Sequence, residues 1–114
     1  CEPRHPTWFT GAADRRLAAH GAGRVGADPP CAEDGSEPAA STRVIYYRLH
    51  GSPVMYHSRY DAAYLDQLGA RMRSFRRTPV WCIFDNTARG AATINALELI
   101  VMLSQSRRVL ARAN

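Results

Sequence analysis

Apolar residues recur along this chain in two rhythms and one unbroken run. From Asp61 to about Phe75 the residues Leu65, Leu68, Met72 and Phe75 step by threes and fours, which marks one face of an α-helix that Asp61 is placed to cap. From 43 to 50 the pattern alternates: Ile45, Tyr47 and Leu49 share one parity, and Tyr46, Arg48 and His50 share the other, as on the two faces of a strand. "PVWCIFDN", from Pro79, is continuously apolar and predicts a parallel strand covered on both faces. Weaker signals fill the rest. Residues 1–8 read as a strand end and a turn. Thr10 caps a helix to about His20, with Leu17 inward and Gly21 as its stop. A short strand from about Arg24 to Ala27 ends at Asp28, and a last helix follows "DNTARG" from about Ala91 to Gln105. Residues 29–42, rich in Pro, Ala, Ser and acid, are expected to form an irregular, mobile loop, and "GSPVMYHSRY" a long turn.

Strands alternating with helices predict an α/β fold with a parallel sheet. Such folds bind ligands at the carboxyl ends of their strands. Ionisable residues collect at those ends: Glu2, Arg4 and His5; Asp28; Arg48 and His50; Asp85 and Asn86. Arg48 and Arg4 offer planar forks for a carboxylate or phosphate. His50, Glu2 and Asp85 are the expected proton-transfer groups. Each has a structural alternative. Arg48 could pair with Asp28 or Asp85, His50 could cap a turn, and "CEPRHP" could be a salt-bridged turn held by Pro3 and Pro6. Asn86 either meets a ligand or, with Thr87, caps the following helix. The small residues 90–93 suit an anion at a helix start or close helix packing. Trp8 is either a stacking wall or a packed lid, and Tyr56 and His57 sit on a loop placed to cover the site. No HxH or HExxH spacing occurs, so no metal is assigned, and no motif names a cofactor.

Composition narrows the class. The chain has 114 residues, enough for one domain with a modest core. Its 15 basic residues are all arginine and its formal net charge is +5. That balance permits anion attraction, but nucleic-acid binding needs the charge gathered on one face. The arginines at 71–77 read better as a solvated helix end that complements the macrodipole. The three cysteines, Cys1, Cys31 and Cys82, are odd in number and widely spaced, which supports neither a disulfide framework nor a zinc site. The longest apolar stretch, "INALELIVML", is too short to span a bilayer, and a cytoplasmic protein is expected.

The stretches "EPRHPTWF", "ADP", "YYRLHGSPVMY", "YDAAYLDQL" and "VWCIFDNTARGAATINAL" resemble the C-terminal half of the YecE-like family, domain of unknown function 72. The resemblance spares only residues 29–42 and the last few. It implies a TIM-type (β/α) barrel, of which residues 1–114 would be roughly the C-terminal half, with strand edges left free to self-associate. It implies a small polar or anionic, sugar-like ligand at the strand ends and isomerase- or hydrolase-like chemistry, and it establishes no reaction. The rival expectations are a non-catalytic nucleic-acid-associated protein and an inactive fragment of a longer barrel.

Overall fold

The computed structural model describes residues 1–112, with side chains through 105. Strand β4 (Ile45–Leu49) lies at the centre of a three-stranded parallel sheet, between β2 (Gly26–Asp28) and β5 (Val80–Phe84). Its alternation behaves as the period of two requires: Ile45, Tyr47 and Leu49 are buried on one face. Against that face pack Leu65 and Leu68 of α2 (Ala62–Ser74) and Leu99 of α3 (Ala91–Arg112), with Tyr60 completing the core. Asp61 caps α2 by accepting from the Tyr64 N–H at 2.8 Å, and Thr10 caps α1 (Gly11–Ala19) by accepting from Ala13 at 3.2 Å. Among the described residues no helix is long and apolar enough to cross a membrane.

Four expectations need correction. First, β5 is not covered on both faces. The register sets Trp81 beside Tyr46 and Ile83 beside Arg48 on the side away from the helices, where Trp81 is 58% exposed. A continuous apolar run shows that a strand is apolar, and does not show which neighbours reach it. Second, residues 29–42 are structured. They hold a 3-10 helix (Glu33–Ser36) and strand β3 (Ala39–Ala40), which pairs antiparallel with β1 (Gly23–Arg24). The buried Arg24 fastens this segment: its guanidinium grips the Asp14 carboxylate at 2.8 and 3.3 Å, reaches the Asp34 carbonyl at 3.1 Å, and lies over the Phe9 ring. Gly26 lets the segment lie close, since a Cβ there would stand 2.7 Å from Pro38 and from the Ser36 carbonyl. Third, α3 runs past the expected stop at Gln105 to Arg112. At its start the main-chain carbonyl of Asn86 accepts from the Ala92 N–H at 3.2 Å, and the side-chain cap from Asn86 or Thr87, one of the two readings open for this turn, is not formed. Fourth, residues 1–3 form no strand of their own. They still run beside the sheet, with the Cys1 carbonyl accepting from the Val25 N–H at 2.8 Å, and this brings Glu2 to the strand ends.

Candidate functional site

Past the end of β4, His50 is 1% exposed and both ring nitrogens are engaged. Nε2 lies 2.8 Å from Glu2 Oε1 and Nδ1 lies 3.1 Å from Asp85 Oδ2. Arg48, two residues earlier on the same face, bridges the same carboxylates: Nη1 donates to Glu2 Oε2 at 3.2 Å and Nη2 to Asp85 Oδ2 at 3.0 Å. Arg4 adds a second guanidinium, 3.0 Å from Glu2 Oε1 and 3.3 Å from His50 Nε2. Three separate segments therefore converge: the residues before the first helix, the end of β4 and the end of β5. Strand parity aims Arg48 and His50 together, and the parallel register of β4 and β5 brings Asp85 alongside.

The ring has a partner for each placement of its proton. With the proton on Nδ1 it donates to Asp85, while Nε2 can accept from Arg4. With the proton on Nε2 it donates to Glu2. The imidazolium donates to both carboxylates. Burial alone would raise the Glu2 carboxyl, but the hydrogen bond from His50 and the charges of Arg4, His50 and Arg48 outweigh it, and the group titrates below the ordinary glutamate value of 4.5. A carboxyl that binds its proton more weakly when folded stabilises the fold above its unfolded value, and that contribution disappears as pH falls through the lowered folded value. Thermal melts between about pH 5 and pH 3 should therefore fall less steeply for Glu2→Gln than for the wild type; equal slopes would count against this linkage.

The other expected residues are placed differently. Arg48 pairs with Asp85, one of its two foreseen structural partners, and with Glu2; Asp28 is occupied elsewhere. Asp28 Oδ2 accepts from the Tyr60 hydroxyl at 2.7 Å, and that hydroxyl accepts from the Gly51 N–H at 2.8 Å. Burial and then the Asp28 carboxylate push the Tyr60 phenol far above its ordinary range, so it remains a donor. His5 turns away and caps the 3-10 helix Pro6–Trp8, lying 2.9 Å from the Thr7 hydroxyl, because the chain bends at Pro6. Trp8 ends that helix as an exposed ring. Asn86 is fully buried and donates to the Ser58 carbonyl at 2.9 Å and to Asn95 at 3.0 Å. Its Oδ1 is sealed from solvent, which corrects the expectation that it faces a ligand. The Tyr56 ring meets the His50 ring edge-on, with centroids 5.9 Å apart. Tyr60 and Asn95 were not foreseen. An asparagine in the apolar stripe Ala91, Asn95, Leu99 is the signal that would have marked the second.

A family model described as Protein of unknown function DUF72 matches residues 1–114. The chain belongs to the DUF72 family. Among solved structures it is similar to a DUF72 family protein from Thermotoga maritima, with 24% identity, a TM-score of 0.74 and 89% of this chain covered. It is also similar to a DUF72 family protein from Enterococcus faecalis, seen in two crystal structures at 17% and 19% identity with TM-scores of 0.72 and 0.70. These likenesses show the fold. The chain spans 44% of the first of these and 46–47% of the second. A search of curated proteins returns no match.

Proposed function

We propose that this chain is an arc of a (β/α) barrel whose strand ends carry an acid/base and anion-binding site. In this reading Arg4 and Arg48 hold a small polyhydroxylated anion, and His50, with Glu2 and Asp85, moves a proton on it, as in sugar isomerisation. The barrel reading is supported by a parallel sheet with helices on one face, an opposite face bearing apolar side chains, and DUF72 structures about twice as long. The observation that carries the site reading is His50 itself: a buried imidazole held between two carboxylates, with two guanidiniums, 55% and 41% exposed in their side chains, standing on the solvent side. An anion that takes the guanidiniums frees Glu2 and Asp85 to act on the ring. General acid/base catalysis needs a proton-transfer group within hydrogen-bond reach of the ligand, directly or through one water. Neither the family match nor the similar structures favour the nucleic-acid reading.

Inorganic phosphate is the simplest probe. At matched ionic strength it should raise the melting temperature, and calorimetry should find Arg48→Ala weakened about ten- to a hundredfold, the loss of a charge-assisted contact of roughly 1.5–3 kcal/mol. Equal affinity in wild type and Arg48→Ala would overturn the assignment.

A further inference from the structure

The inner stripe of α3 carries Asn95 between Ala91 and Leu99, all three buried. An amide among apolar neighbours is costly unless its groups are bonded, and those of Asn95 are. Oδ1 accepts from the Tyr60 N–H at 3.1 Å and from Asn86 Nδ2 at 3.0 Å. Nδ2 donates to the Tyr60 carbonyl at 2.9 Å and to Glu98 at 3.2 Å. Asn86 adds its bond to the Ser58 carbonyl at 2.9 Å. Two buried amides thus grip the main chain at Ser58 and Tyr60, while the Tyr60 hydroxyl holds Gly51, where the same loop leaves β4.

Between the grips lies Tyr56, at φ +65°. A bulky residue in that region costs about 1–3 kcal/mol and persists only where its surroundings over-determine it. Here they do: the Tyr56 N–H donates to the His50 carbonyl, and its carbonyl accepts from the Ala88 N–H at 3.1 Å. The result is an arch from Gly51 to Tyr60 that sets one aromatic ring perpendicular to the His50 ring, at an interplanar angle of 86°.

We propose that Asn95, supported by Asn86, is a positioning residue for the His50 site: its clasp on Tyr60 holds the arch in the conformation that seats Tyr56 on the imidazole. The functional meaning of the clasp rests on the acid/base and anion reading of the cluster, and experiment can separate the two. Asn95→Ala is compared with Leu99→Ala, which empties a core position one turn along the same helix and bonds to nothing in the arch. In Asn95→Ala the nuclear Overhauser contact between the His50 and Tyr56 rings should be lost. Amides of residues 51–60 should exchange at least tenfold faster relative to those of α2, and phosphate should bind about three- to tenfold more weakly. Leu99→Ala should lower the melting temperature at least as much yet keep the ring contact. Persistence of that contact in Asn95→Ala, or its equal loss in Leu99→Ala, would overturn the positioning role. Should Asn95→Ala not fold, native-state exchange on the unaltered chain decides: the amides of Gly51, Tyr56 and Tyr60 should open as one unit, and separate opening would refute the clasp. If the unaltered chain binds no phosphate while the ring contact follows the clasp, the anion reading fails and the positioning role stands.

Discussion

Leu68→Ala is expected to bring this chain close to unfolding. Leu68 is 0% exposed and sits in a cluster of seven buried residues that also includes Ile45, Tyr47, Leu49, Tyr60, Leu65 and Leu99. Truncating a leucine at such a site removes its transfer free energy and leaves a cavity, together about 2–5 kcal/mol. Domains commonly hold a margin of roughly 0.05–0.15 kcal/mol per residue. The low end suits this chain, because among the described residues one face of its sheet has no helix against it and leaves Trp81 and Ile83 exposed. The melting temperature should therefore fall by about 10–20 °C, or the cooperative transition should be lost. Leu97→Ala is the control. Leu97 is 59% exposed on the outer side of α3, and its truncation should change stability by no more than about 0.5 kcal/mol. Equal effects of the two substitutions, read by calorimetry, would mean that the core is not where the buried side chains place it.

Analytical ultracentrifugation at tens of micromolar is expected to show the chain self-associating, and Trp81→Glu combined with Ile83→Lys to suppress that association. Among the described residues, β5 pairs with β4 along one edge and with no strand along the other. Trp81 and Ile83 project, exposed, from its uncovered face. An open strand edge beside exposed apolar side chains is a template for another chain or another half of the same fold. In the barrel proposed above, that face would point into the shared interior. Both substitutions fall at exposed positions, so the fold should tolerate them. A chain monomeric at every concentration, or one whose association ignores the double substitution, would remove this face as an interface.

Much of the local architecture was legible in the residues. The steps from Leu65 to Phe75 specify a helix, because 3.6 residues per turn returns those positions to one side. Asp61 and Thr10 mark helix starts, because each places a side-chain oxygen where the first turn has unpaired N–H groups. The parity of "IYYRLH" placed Arg48 and His50 on one face without knowledge of any neighbour, since alternation is a property of the extended backbone itself.

The site needed the tertiary structure. Glu2 meets His50 across 48 residues of chain, and Asp85 reaches it across 35, because Cys1 is hydrogen-bonded to Gly23 and Val25 just ahead of β2 and β5 runs beside β4; no local pattern encodes either approach. His5 and Asp28 look as eligible as Glu2 and Asp85 by residue type and by strand end. One is turned outward by the bend at Pro6, and the other is taken by Tyr60. The same limit explains Trp81 and Asn95. An exposed tryptophan in an apolar run and a buried asparagine in an apolar stripe are distinguished by what lies opposite them. Periodicity tells which residues share a face, and packing alone decides what that face meets.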